Sequence, residues 1–279
     1  MHIHLNIPDK QEEMAALKIL NWNIYMLPYL SWFNGSIKRA ELIGTLLKKK
    51  EYDILIFQEA FSDRCRHILT RHLQEKYPFR YGPVNPSHGT FRTNSGLWVL
   101  SRFPLKMLGS IQFREAKGLD WIAKKGAMLF EGQFDGSNFR LLTTHLQAHQ
   151  YQATRNKQYE EVRQLMDRFR DKNPPLLICG DFNTDMLSQP EDYEHMLRVL
   201  DAVNSVADGQ SQVTFDEVNN TLAKREGGRG EVLDYILSRR QSGFASIEPG
   251  LEEFYCGDPD FQSHLSDHYA LEAIVRFLK

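Results

Sequence analysis

Cysteine is scarce. Cys65, Cys179 and Cys256 are the only three in 279 residues, an odd number without the close spacing of a metal site or a disulfide framework. The fold must therefore rest on packing, and the pattern fits a reducing compartment or a chain indifferent to redox. No apolar run approaches the roughly 20 residues that a membrane-spanning helix requires, so a soluble protein is expected. The opening MHIHLNIPDKQEEMAA has neither a basic start nor a long apolar stretch and does not read as a secretory signal. The expectation is a cytoplasmic protein, or a secreted or periplasmic one if a leader was removed. Neither sign of charge is in excess: 34 Lys and Arg stand against 36 Asp and Glu, a net of −2. Proteins that coat nucleic acid are usually basic, so that role is disfavoured. Repeats, low-complexity segments and Pro/Gly/Ser linkers are missing too. One domain over 17–279 behind an N-terminal extension, 1–16, is the simplest reading, with a monomer as the simplest state.

The composition that remains is ordinary for a globular protein, 42% hydrophobic and 25% charged, and the chain is long enough for a large core. Short apolar runs bounded by Gly, Pro, Asp or Asn predict strands at Leu17–Ile24, Asp53–Phe57, Gly96–Leu100, Gly126–Phe134, Phe139–Thr144, Leu176–Cys179, Val232–Leu237, Ala245–Phe254 and Tyr269–Phe277. Helical spacing of apolar residues marks Ile37–Lys50, Asp63–Lys76 and Gln152–Arg170. Strands and helices in this mixed order predict an α/β fold: a four-layer α/β/β/α sandwich of two packed mixed sheets with helices outside.

The informative residues are polar groups where the strands end. Asn23 closes the first, Glu59 follows ILIFQ, His145 follows LLTT, Asp181 and Asn183 follow LLICG, and Asp267–His268 precede the last; Asp234 lies within VLDYIL. Strand ends at one edge of a sandwich converge. Convergent carboxylates repel unless a proton or a cation joins them, and burial of an unpaired polar group costs roughly 2–7 kcal/mol. Hard oxygen donors suit Mg²⁺ or Mn²⁺ rather than zinc. With two histidines as proton donor and acceptor, these parts describe metal-assisted hydrolysis of a phosphate ester.

Read in order, LNWNIY, LIFQEAF, TTHLQA, GDFNTD and LSDHYAL resemble the endonuclease/exonuclease/phosphatase superfamily over about Leu17 to Leu278. NIYMLP, Arg39–Ala40 in IKRAELI, HLQAH, and Asp120 five residues before Lys125 in GLDWIAKKGAM resemble its neutral sphingomyelinase branch. The resemblance implies a Mg²⁺-dependent phosphodiesterase, with Mn²⁺ or Co²⁺ as substitutes, acting on a phospholipid at a membrane surface.

It also implies roles. Glu59 is the principal metal ligand, against the bland reading of a surface Glu at a helix start. Asn23 holds a metal water or the bound phosphate, against a turn Asn. Asp267 binds metal or shapes the surroundings of His268. His268 is the general base. Because neighbouring side chains on a strand point to opposite faces, its orienting carboxylate is expected to be Asp234, whose competing reading is a solvated edge residue. Asp181 orients water or steadies the leaving group and Asn183 grips phosphate, against an Asx-turn pair. His145 donates to the phosphate, against a satisfied core histidine. Lys125 contacts phosphate or pairs with Asp120, against a surface lysine, and Arg39 supports the helix surface. The dense apolar segment after Asn23, with Tyr29, Trp32 and Phe33, and Trp121 beside Asp120, either meets lipid or fills the core. The competing activity is a nuclease or other phosphoesterase on the same scaffold, marked by salt-dependent DNA binding; a non-catalytic binding module is the remaining alternative, marked by indifference to His268→Ala.

Overall fold

The computed structural model describes residues 16–27, 35–86, 92–170, 174–205, 212–240, 243–259 and 261–278. One six-stranded sheet holds β1 (Ala16–Met26), β2 (Ile54–Ala60), β3 (Phe79–Tyr81), β4 (Trp98–Ser101), β13 (Phe244–Glu252) and β16 (Ala270–Phe277), in the order β13-β16-β1-β2-β4-β3. The second holds β5 (Lys106–Gln112), β6 (Gly126–Phe134), β7 (Ser137–His145), β8 (Leu176–Asp181), β9 (Ala202–Asn204) and β12 (Asp234–Arg239), in the order β5-β6-β7-β8-β12-β9. Two short hairpins, β10 (Phe215–Asp216) with β11 (Gly230–Glu231) and β14 (Tyr255–Asp258) with β15 (Phe261–His264), lie outside them.

Each sheet is built around one parallel pair. β1 and β2 are joined through α1 (Ser36–Leu47), and β7 and β8 through α3 (Gln152–Asp167); parallel neighbours need such a crossover. The remaining ladders of both sheets are antiparallel. With α2 (Asp63–Leu73) and α4 (Pro190–Leu200), the helices cover the two outer faces. α2 starts where the Ser62 hydroxyl accepts the Cys65 N–H.

Three apolar layers follow. Leu20, Trp22, Leu55 and Phe57 pack on Ile43, Leu47 and Leu69 of the first helix pair. Leu129, Leu142 and Ile178 pack on Val162, Leu165 and Met196 of the second. Leu17, Ile19, Ile54, Leu141, Leu177 and Ile236 fill the space between the sheets. The expected four-layer sandwich is therefore present. The sequence pattern missed β3, β5, β9 and both hairpins, which are very short or largely exposed and carry no strong alternation. It also began one strand too early: β12 starts at Asp234, placing this carboxylate at the strand's head.

Candidate active site

Period-two alternation brings the polar residues together. On β1 the odd positions face the other sheet: Leu17 and Ile19 lie in the core between the sheets, then Asn21 and Asn23 continue that face. On β8 the series is Leu177, Cys179, Asp181, and on β7 it is Phe139, Leu141, Thr143, His145. β12 runs the opposite way, so its first residue, Asp234, meets the ends of the others. His145 is in register with Asp181, and Asp181 with Asp234. This spacing needs a glycine at 180, where a Cβ would sit 2.1 Å from the Thr144 carbonyl oxygen. The first sheet meets the second at the same level: Asn23 Nδ2 donates to Asp181 Oδ2 at 3.0 Å. Deeper in, Gln58 donates to Asn21 (2.9 Å) and Asn21 to the Gly180 carbonyl.

Glu59 breaks the pattern. On β2, Ile54 and Ile56 face the other sheet, so strict alternation puts Gln58, not Glu59, on the inner side. The backbone of Glu59 is left-handed, φ 54°, and its Oε1 lies 4.0 Å from His145 Nε2. Tyr25 (φ 50°) and Asn183 (φ 50°) share this conformation just past Asn23 and Asp181. Non-glycine residues pay about 1–2 kcal/mol for it, and such strain gathers at functional sites.

His268 stands at the centre of a hydrogen-bonded group. Its Nδ1 is 2.8 Å from Asp234 Oδ2, and its Nε2 is 3.9 Å from Asp181 Oδ2. Phe215 packs on the ring, with centroids 4.9 Å apart. The backbone is fixed as well: the Trp22 indole donates to the His268 carbonyl (2.9 Å), and the Ser266 hydroxyl accepts the His268 N–H while donating to the Asn23 carbonyl. Thr214 accepts the Asp234 N–H. Asp234 is thus a buried partner of His268 rather than a solvated edge residue.

Charge is unevenly settled. Burial works against the His268 imidazolium, but Asp234, Asp181 and Asp267 outweigh it and hold its pKa well above the usual range. Burial, with Lys125 and His268, lowers His145 well below that range. Burial and Asp234 push the Asp181 carboxyl up to about 6. Burial and Asp267 push Glu59 up to about 7, although its side chain is 19% exposed; burial raises Asp267 too.

The remaining expected residues fall as follows. Lys125 is buried; its Nζ is 2.9 Å from Asp120 and donates to the Leu146 carbonyl at 3.0 Å, while Asp120 also accepts the Ala148 N–H. Asn183 Nδ2 donates to the same Leu146 carbonyl (3.1 Å), and its N–H to Asp181. Trp121 is 55% exposed at the end of the 3₁₀ turn Gly118–Trp121, with the Arg92 guanidinium 5.0 Å from its ring centre. Tyr29, Trp32 and Phe33 lie outside the described residues. Arg39 corrects its expectation. It is wholly buried, not on a helix surface, and its guanidinium donates to the carbonyls of Ile24, Tyr25 and Leu265, tying the end of β1 to the loop that carries Asp267 and His268. A charged side chain reads as exposed unless its buried carbonyl partners are known, and sequence does not give them. Phe215, Thr214 and Ser266 left no signal either, because they touch the site only through tertiary contacts.

The donor set fits a hard divalent cation. Buried Glu59 Oε2 makes no hydrogen bond among the described residues, and neither does Asp234 Oδ1. Asp181, Asp234 and His268 have ligand atoms within 4.8 Å of one another, but one contact in that set is the Asp234–His268 hydrogen bond. Glu59 and Asp267, two carboxylates raised by burial with no Arg or Lys bonded to either among the described residues, are the pair with charge left to offset. No described helix is long and apolar enough to cross a membrane.

Known proteins are similar to this chain in sequence and fold. Sphingomyelinase C 2 of Leptospira interrogans is 27% identical over 97% of the chain, which spans 48% of that relative's length. Phospholipase C of Staphylococcus aureus is 28% identical over 82% of the chain and 76% of its own. Among solved structures, S. aureus beta toxin superposes with a TM-score of 0.80 at 23% identity over 92% of this chain and 99% of that one, and a substituted form of the toxin with bound magnesium ions gives 0.78 at 23% over 93% and 99%. At these identities the structural likeness concerns the fold. Residues 20–268 match the Endonuclease/Exonuclease/phosphatase family, and the chain belongs to that family.

Proposed function

We propose that the protein is a phosphoric diester hydrolase of sphingomyelinase type, using Mg²⁺ and water to split sphingomyelin, or a related phospholipid, into ceramide and phosphocholine. The names and fold of its relatives support this reading. The observation that carries it is the buried His268–Asp234 pair, 2.8 Å apart, opening toward Asp181 near a Glu59 whose Oε2 makes no hydrogen bond among the described residues. Residues 17–279 are taken as one catalytic unit behind an extension, 1–16.

Glu59 and Asp267, with the side-chain amide oxygen of Asn23, would hold the cation or its water. When bound, it supplies positive charge to the phosphoryl oxygens and offsets the carboxylate field around His268. Asp234 fixes the His268 ring so that Nε2 faces the attacking water and takes its proton. Asp181, held by Asn23 and the Asn183 N–H, orients that water. His145, neutral through burial, donates to the phosphoryl group as charge builds. Lys125 and Asp120 brace the Leu146 and Ala148 backbone that follows His145. Trp121 meets the lipid interface, where an aromatic with a polar edge is at home.

EDTA-stripped protein, tested on sphingomyelin, phosphatidylcholine, plasmid DNA and an inositol phosphate, should release phosphocholine from sphingomyelin when Mg²⁺ is restored. Cleavage of DNA with sphingomyelin untouched would sink this reading in favour of a nuclease.

A further inference from the structure

We propose that the Tyr25 hydroxyl is a direct contact to a non-bridging oxygen of the substrate's phosphoryl group. This rests on the reading of the cleft as a phosphodiesterase site and adds a residue to it.

Three strand-end residues at this edge adopt the left-handed backbone: Tyr25, Glu59 and Asn183. In each of them the unusual φ has a local use. It turns Glu59 off the alternation of β2 toward His145, and it lets Asn183 bond back to Asp181. Tyr25 is the third, in the same position relative to Asn23 that Asn183 holds to Asp181, two residues on. Its backbone is fastened on both sides. The Tyr25 N–H donates to Asn23 Oδ1 at 3.2 Å, and its carbonyl accepts from Arg39, whose guanidinium also lies 5.3 Å from the centre of the Tyr25 ring. The Tyr25 backbone is thus fixed at both ends, with its ring beside Arg39, next to the end of β1 that carries Asn23.

The target follows from which donors are left. A phosphoryl group that gains negative charge needs hydrogen-bond donors. Asn23 Nδ2 is spent on Asp181, Asn183 Nδ2 on Leu146, and Lys125 Nζ on Leu146 and Asp120, which leaves His145, already assigned to one phosphoryl oxygen, and a second donor to find. The Tyr25 hydroxyl makes no hydrogen bond among the described residues, and its side chain is only half-buried. Burial, then Asp267 and Glu59, raise its pKa, in keeping with a place near the carboxylates where the cation is proposed. A neutral O–H there can donate to a phosphoryl oxygen without adding to the crowd of charges.

Tyr25→Phe removes the hydroxyl and keeps the ring under Arg39. On bis(p-nitrophenyl) phosphate with saturating Mg²⁺, kcat/KM should fall about ten- to a hundredfold, the range for a hydrogen bond to a charged group. Mg²⁺ affinity by calorimetry and the melting temperature should stay at wild-type values. Activity within twofold of wild type overturns the proposal, and so does a loss matched by an equal loss of Mg²⁺ affinity, which would place the hydroxyl on the cation. Sphingomyelin is run in parallel: wild-type protein that cleaves the small diester but not sphingomyelin defeats the lipid assignment alone and leaves the Tyr25 result standing.

Discussion

The two sheets bring different kinds of edge to the cleft. The second sheet's edge, with the residues docked on it, is the more settled: Asp234 holds His268, Asp181 receives Asn23 and the Asn183 N–H, and Lys125 is paired with Asp120, while Asp234 Oδ1 and His145 Nδ1 make no hydrogen bond among the described residues. The first sheet's own carboxylates are less so. Glu59 keeps a buried oxygen without a hydrogen bond among the described residues, and burial raises both Glu59 and Asp267 toward the protonated form. Where hydrogen bonds close a polar group the protein supplies its own counter-charge; where they do not, the charge must come from outside. On this reading the settled edge handles protons and the unsettled edge takes the cation.

Substitutions on the settled edge should separate catalysis from metal binding most sharply. His268→Gln is expected to lower kcat by about a thousandfold, within the range of general acid–base contributions, with Mg²⁺ affinity by calorimetry changed less than threefold. A large loss of affinity would erase the distinction between the edges.

Glu59→Gln should do the reverse. Mg²⁺ affinity should fall at least tenfold. The metal-free protein should gain stability, because a carboxyl raised from 4.5 to about 7 contributes stability below pH 4.5 that is lost as pH rises through 7. At pH 8 the gain is about 3 kcal/mol. It should vanish near pH 4 in denaturant titrations of the two proteins; equal stabilities across the whole range would show Glu59 to be already compensated.

Arg39→Lys keeps the charge but loses the planar fork that reaches three carbonyls on two segments. It should cost about 1–2 kcal/mol, and hydrogen exchange should quicken at both the end of β1 and residues 265–268. Faster exchange at only one of them would show that the guanidinium does not join the edges. The smallest effect belongs to the three thiols. Cys65 and Cys179 are buried with their pKa values raised by burial, and Cys256 is partly open. Native protein should react with a thiol reagent first at Cys256; early labelling of Cys179 would reveal opening between the sheets.

Much of this was readable without coordinates, for reasons that differ by residue. The central strands declared themselves because burial on both faces demands near-continuous Ile, Leu and Val, and Asn23, His145 and Asp181 stood out as polar ends of such runs. Asp234 could be named as the partner of His268 because the neighbour Asp267 points elsewhere. The orientation of Glu59 was another matter: alternation aims it at the helices, and only a left-handed backbone, invisible in an ordinary residue's identity, corrects that. The same blindness hid Tyr25. Arg39 was misplaced because charge predicts exposure on average, while its three carbonyl partners come from residues 24, 25 and 265.

Trp22 deserves a last thought for its double attachment. Its ring sits in the helix-side core against Phe254, 4.8 Å between centroids, while its N–H holds the His268 carbonyl across the sheet. A native chromophore is thereby wired to the backbone of the proposed base. Ligands that shift the 265–268 loop should register in its near-ultraviolet dichroism, giving a label-free gauge of the cleft from inside the molecule.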